Sequence, residues 1–398
     1  MPVTDQKPGA EVPHNPGASS RLLAARARVA ERGIETRHLR RMWGLPTTTL
    51  GLTRWPPGLT DRLRLRWSYW WQAQLLDCLV DAQMRAPTQT RWTRIANLTR
   101  SIRLRNLGSW TNEYYDDMAW LGLALARAGK EIGLRRPDAL NVIVAQLRDA
   151  WSDHGGGGIW WRRDDDFKNA PANGPTAILF TRLAADGGDP TDLRRAEAIV
   201  DWMEQHLLDR ETGLIFDGLH VTESGEVREV ERTVYTYCQG VFLGACMELA
   251  RVHGTPQWLD RAERTVTAVA THLTTIGGVL RGQGGGDGGL FAGILARYLT
   301  QAAIMLVSLA PDRTALASRA AELVYNSAEA LWKNRTVAPG GPLFGPDFNQ
   351  PALTPGTLGA RAELPERDLS VQLGGWMVME AAAQLERSGD FPRPLHRR

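Results

Sequence analysis

Apolar positions recur at helical spacing from about residue 19 almost to the C-terminus. They fall into twelve stretches, at roughly 19–42, 66–86, 89–105, 113–129, 137–150, 173–186, 190–208, 235–253, 256–274, 288–308, 313–333 and 367–387. Ser68–Ala86, Asn112–Arg127 and Thr233–Arg251 are apolar nearly all round, which is the composition of a helix buried on every face. Ala139–Ala150 and Asp192–Leu208 instead set an apolar stripe opposite a polar one. Alternation of buried and amphipathic helices describes two concentric layers. Twelve helices make six hairpins, and six hairpins closed in a ring predict an all-α fold, the (α/α)6 barrel. No repeating sequence unit accompanies the structural repeat. One stretch departs from helix: Gly213–Glu231 alternates apolar and polar residues around Glu223-Ser224-Gly225, a β-hairpin pattern. The long connections Trp151–Ala172, Thr275–Gly289 and Thr336–Pro365 are expected to crowd one mouth of the ring. Residues 1–18 are polar and Pro-rich and are expected to form a disordered tail, which leaves 19–390 as a single barrel domain.

Composition narrows the possible partners. Of 398 residues, 43% are hydrophobic and 23% charged, as in an ordinary folded domain. The net charge of +3 is too small to imply a polyanion bound over the whole surface. The N-terminal third is rich in Arg but carries no recognisable nucleic-acid module, so no nucleic acid is expected as partner. Cys78, Cys238 and Cys246 show no metal-ligand spacing, and neither a metal nor a cofactor is expected. No run approaches 18 apolar residues, so no membrane span is expected. The first residues lack the apolar core of a signal peptide, which gives a cytoplasmic expectation. Fifteen Trp is a high count. Several, among them Trp110, Trp160, Trp161 and Trp258, lie in polar or Gly-rich surroundings, where indole faces suit sugar rings as well as a barrel core.

The chemistry concentrates in Asn112–Arg127, NEYYDDMAWLGLALAR. Asn112 stands where an N-cap is expected. Asp116 and Asp117 follow, among Tyr114, Tyr115, Met118 and Trp120, and no polar side chain comes after them until Arg127. Two carboxyl groups in a partly dry site cannot both ionise easily, so one keeps its proton near neutral pH. An acid beside a base is what glycosidic hydrolysis requires, whereas a solvated helix start is the commoner origin of such a pair.

Other motifs are weaker. His154–Gly158, HGGGG, has no G-x-S-x-G elbow to accompany it, which excludes a lipase-like site. Asp164, Asp165 and Asp166 lack the EF-hand spacing. Lys168, Asn169 and Asn173 match the donors and acceptors of vicinal diols, or equally the turn chemistry around Pro171 and Gly174. Gly282–Phe291, GQGGGDGGLF, lacks the Lys-Ser/Thr of a P-loop. Its one acid, Asp287, is either presented to a ligand or caps the next helix. Cys238 has no activating base in view and reads as an inert buried thiol.

Six runs, in order, resemble glycoside hydrolase family 76, the endo-α-1,6-mannanases. They are YDDMAWLGLALARA, GGIWWRRDDDFKNAPANGP, DWMEQHLLDRETGLIFDG, TYCQGVFLGA, GGGDGGLFAGILARYL and SVQLGGWMVMEAA, between Tyr115 and Ala382. The resemblance implies an (α/α)6 barrel and retaining, endo-acting cleavage of α-1,6-mannosidic linkages, in mannan-type polysaccharide or glycolipid. Asp116 is then the nucleophile and Asp117 the general acid/base. The sugar contacts expected around them are Tyr115, Trp120, Trp160, Trp161, Lys168, Asn169, Asn173, Tyr237, Gln239 and Asp287. Cys238 stands where the family pattern has Asn, and Ala292 where it has Lys. Transglycosylation on the same linkage and a catalytically idle carbohydrate-binding barrel are the competing expectations.

Overall fold

The computed structural model describes residues 22–63, 65–354 and 364–391, so the expected tail at 1–18 lies outside the described residues. Among them are twelve helices of 13 to 22 residues. In chain order they are α1 (Leu22–Arg37), α2 (Tyr69–Arg85), α3 (Gln89–Arg105), α4 (Tyr115–Ile132), α5 (Pro137–Asp149), α6 (Ala170–Ala185), α7 (Thr191–His206), α8 (Thr236–His253), α9 (Pro256–His272), α10 (Gly288–Leu309), α11 (Thr314–Lys333) and α12 (Leu369–Ser388). The even-numbered helices pack in the cyclic order α2, α4, α6, α8, α10, α12 and back to α2, and the odd-numbered ones lie outside them. This is the (α/α)6 barrel.

The layers follow from the side chains. On α9, an outer helix, Trp258, Ala262, Thr265, Val266 and Val269 are buried, one face at helical spacing. On α10, an inner helix, burial runs nearly unbroken from Leu290 to Thr300. Length and hydropathy alone would let α10 cross a membrane, but 78% of its most apolar window is buried inside the ring. Glycines let inner helices approach closely. A Cβ built on Gly374 of α12 would lie 2.0 Å from the Gly289 carbonyl oxygen of α10.

Boundaries differ from the sequence pattern where side chains make local structure. The stretch expected to be helical to residue 42 stops at Arg37, and β1 (Leu39–Arg40) pairs with β2 (Leu50–Gly51). The helix expected from 173 starts at Ala170, because Asn169 Oδ1 accepts the Ala172 N–H and Pro171 is tolerated in the first turn. The expected hairpin is present as β4 (Gly218–Val221) and β5 (Val227–Glu231). A third strand, β3 (Phe167–Asn169), adds to β4 with Asn169 opposite Gly218. Three residues are too short a run for alternation to reveal. A last pair, β6 (Thr336–Ala338) and β7 (Gly341–Leu343), lies in the connection before α12.

Two glycine substitutions separate packing from propensity. Gly374→Ala should destabilise the fold by about 1–3 kcal/mol, since backbone must move to admit the methyl group. Gly129→Ala on α4, whose nearest neighbour would be Arg135 Cγ at 3.7 Å, should instead stabilise it by up to about 1 kcal/mol. Denaturant midpoints of the two variants, moving in opposite directions, check this.

Candidate active site

The inner helices run parallel, so their N-terminal ends share one mouth, and each end presents unpaired N–H groups that favour negative charge. Trp70 and Trp71 open α2, Asp116 and Asp117 lie in the first turn of α4, Tyr237 opens α8, and Asp287 precedes α10. The cleft between them has two lobes, of about 520 Å³ and 450 Å³. Trp67, Asn112 and Tyr114 line the first; Trp120, Phe167, Tyr235, Tyr237 and Phe291 line the second. Trp70, Asp116, Trp161 and Asp287 belong to both, which puts Asp116 where the lobes meet. Tyr237 and Phe291 stack face to face at 3.9 Å, and Trp70 lies 6.3–6.4 Å from Trp120, Tyr237 and Phe291, so the second lobe has an aromatic wall.

The two acids are held differently. Asp116 Oδ1 accepts the Asp117 N–H at 2.8 Å, and its Oδ2 accepts the Trp161 indole N–H at 3.1 Å. Burial raises its pKa most, the two donors pull it down, the charge of Asp287 adds to the rise, and the balance stands at about 7. Asp117 Oδ2 accepts from Asn112 Nδ2 at 2.5 Å. Burial, then the charge of Asp116, holds Asp117 well above the usual carboxylate range. Of the pair, Asp116 has the better-stabilised anion and Asp117 the firmer hold on its proton. Asn112 is therefore not the cap that its position suggested. Its Oδ1 accepts the Tyr114 N–H at 3.0 Å and its amide orients Asp117, while Tyr114 occupies the cap position.

Asp287 faces the cleft. It occupies the cap position of α10 without making a cap bond, and its Oδ1 accepts the indole N–H groups of Trp70 and Trp71 at 2.9 and 2.7 Å. Asp217 is the residue that sequence patterns failed to single out. It precedes β4 and lines the second lobe, where the Cys238 thiol donates to it at 3.7 Å and burial raises its pKa to about 7. Its backbone is held between the start of α6 and the end of the hairpin, its carbonyl accepting the Ala170 N–H at 2.7 Å and its N–H donating to the Thr233 carbonyl at 2.9 Å. In the sequence this acid lies in the expected hairpin Gly213–Glu231, able like Glu231 to reach the mouth, and nothing there singles it out.

Several expected sugar contacts are instead internal fasteners. Lys168 is fully buried, and its Nζ donates to the Ser152, His154, Gly157 and Gly158 carbonyls and to Ser152 Oγ at 2.7–3.0 Å. The HGGGG run exists to form that cage: Gly155–Gly158 all have positive φ, and Cβ atoms on Gly156 and Gly158 would strike His206 and Trp202. Asn173 is equally buried, bonding both backbone groups of Ile159, and Gln239 does the same for Ile215. Trp160 covers Lys168, with its ring centroid 4.4 Å from Nζ. Tyr115 packs against the core, and Tyr114 takes its expected place in the cleft lining. Asn169 both caps α6 and borders the second lobe. Asp165 and Asp166 are tied to Arg162, and to His220 and Arg228. Among the described residues no three His, Cys, Asp or Glu side chains are grouped to hold a metal.

The model of glycosyl hydrolase family 76 matches residues 30–341. Among solved structures, an α-1,6-mannanase of that family from Salegentibacter is 32% identical, with a TM-score of 0.76, over 93% of this chain and 100% of that one. An inactive variant of the Salegentibacter α-1,6-mannanase, with two consecutive aspartates changed to alanine and α-1,6-mannotetrose bound, is 31% identical, with a TM-score of 0.78, over 91% and 99%. A mannan endo-1,6-α-mannosidase from Candida glabrata is 28% identical over 50% of this chain and 49% of its own. The chain thus spans about half the length of the curated relatives it matches.

The raised acid carries a stability signature. The unfolded chain releases the Asp116 proton near pH 4, the folded chain only near 7, so ionisation opposes folding fully above pH 7 and not at all below about 4. Asp116→Asn should therefore have a higher denaturant midpoint than the parent at pH 8, and the gap should close as the pH falls to 4. A gap independent of pH would mean that the fold does not raise the Asp116 pKa.

Proposed function

The chain belongs to glycosyl hydrolase family 76, and from that premise we propose that it is a retaining, endo-acting hydrolase of α-1,6-mannosidic linkages. The observation that carries this reading is the consecutive pair Asp116-Asp117, unequal in acidity, at the junction of two open lobes. The neighbour's inactivity without two consecutive aspartates, and the mannotetrose bound to it, support the same assignment.

Asp116, ionised and steadied by two N–H donors, attacks the anomeric carbon and forms a glycosyl ester. Asp117, still protonated, gives its proton to the leaving oxygen and later takes one from the incoming water. Retention asks for carboxyl groups about 5–5.5 Å apart and inversion for about 6.5–9.5 Å, and neighbours in one helical turn suit the former. A lobe on each side of Asp116 gives sugars room on both sides of the scissile bond, as internal cleavage needs. The stacked pair Tyr237 and Phe291 walls the sugar site on one side and Trp67 on the other, while Trp70 and Trp161 border both.

Incubation with α-1,6-mannan should yield short oligosaccharides, and products longer than a supplied oligosaccharide would show transfer instead of hydrolysis. Asp116→Ala and Asp117→Ala should each lower turnover at least about 100-fold. Azide should rescue the first by attack from the vacated face, giving a β-glycosyl azide. It should rescue the second through the intact ester, giving the α-azide. Opposite anomers would reverse the two roles, and full activity in both variants would remove the reading.

A further inference from the structure

Beside the first lobe, the chain between α1 and α2 forms an arm that leaves large apolar side chains in solvent. Trp43, Leu59, Leu63 and Leu65 are 58%, 74%, 52% and 68% exposed. The Trp43 indole donates to the Leu63 carbonyl at 3.2 Å, which brings the two ends of the arm together. Arg100 donates to Thr47 Oγ1 at 3.1 Å and fastens the arm to α3, beyond whose end Leu107 projects, 96% exposed. Single exposed leucines need no explanation, but several large apolar side chains left in solvent along one short arm do.

The charge on the arm is equally uneven. Residues 38–67 contain six Arg and one acid, Asp61. That carboxylate is turned inward, accepting from Thr53 Oγ1 at 3.0 Å and the Gly58 N–H at 2.9 Å. By sequence the arm counts +5 within a chain of net +3, and Arg54 is turned back into the fold, paired with Asp368 at 3.2 Å. Residues 62–66 read Arg-Leu-Arg-Leu-Arg, with Arg62 and Arg66 exposed.

We propose that this arm docks the protein on an anionic phospholipid bilayer. Leu59, Leu63, Leu65 and Trp43 enter the boundary between headgroups and acyl chains, and Arg62 and Arg66 pair with lipid phosphates. Exposed leucines beside the exposed Arg62 and Arg66 match a surface that is anionic at its face and apolar just beneath, as a bilayer of acidic lipids is. Trp67, stacked under Arg105 at 4.9 Å, belongs both to the arm's end and to the rim of the first lobe. Docking would thus hold the cleft at the membrane surface, within reach of glycan chains anchored in lipid. That consequence for substrate class rests on the function proposed above.

Vesicle co-sedimentation of the full chain tests the docking without requiring turnover, so its failure is distinct from failure of the catalytic reading. Vesicles of mixed phosphatidylcholine and phosphatidylglycerol should carry the protein down, pure phosphatidylcholine should not, and high salt should release it. The double variants Leu59→Ser with Leu65→Ser, and Arg62→Glu with Arg66→Glu, should each bind at least about tenfold more weakly with an unchanged circular dichroism spectrum. Absence of binding, equal binding to neutral vesicles, or binding unaltered in both variants would overturn the proposal. A parent dimer that the leucine variant dissociates would likewise overturn it, making the arm a contact between two copies.

Discussion

Deep in the ring, Asp77 and Asp81 of α2 meet Arg127 of α4 and Arg297 of α10. Arg297 bonds Asp77 at 2.6 Å and Asp81 at 2.7 Å, and Arg127 bonds the same two acids from the other side. The members are nearly excluded from water, so each depends on the others: burial alone would raise Asp81, and the two guanidinium charges outweigh it and hold its pKa below the usual value. Since α4 and α10 stand opposite each other in the ring, the quartet ties the barrel across its interior. These same three helices bring Trp70, Asp116, Asp117 and Asp287 to the mouth. Loss of one member strands a buried charge, at a cost of about 3–5 kcal/mol, and loosens the frame on which the cleft is built.

A second set of contacts shapes the rim. The Lys168 ammonium gathers four carbonyls of the loop 152–158 and fixes β3, whose neighbours Phe167 and Asn169 border the second lobe. Asn173 and Gln239 bind the strand-like segments at Ile159 and Ile215 to the starts of α6 and α8. Long connections thereby gain the rigidity of the helices they join, and Trp161 is held where its indole meets Asp116.

The acids themselves occupy an unfavourable place by design of the fold. Helix N-termini favour carboxylates, but removal from water and the charges of neighbouring acids, Asp287 on both and Asp116 on Asp117, oppose ionisation more strongly. Both acids end above their ordinary values. The outcome is a pair in which one proton is held near neutral pH, the condition for acid and base to act side by side.

Much of this was present in the sequence. Helical periodicity is local, so the twelve helices and their division into buried and amphipathic sets could be read from residue spacing. The pair Asp116-Asp117 stood out because two acids in an apolar helix contradict their surroundings. Tertiary structure alone decided which polar residues face the cleft. Lys168 and Asn173 looked like ligand contacts because their donors and acceptors match vicinal diols, and Gln239 because of the family resemblance. The sequence does not say whether a polar group's partners are a sugar or the protein's own backbone. Asp217 gave the opposite result, an unremarkable acid of the hairpin until backbone bonds to Ala170 and Thr233 set it in the cleft. Contacts of this kind join residues dozens of positions apart, and only the closed ring brings them together.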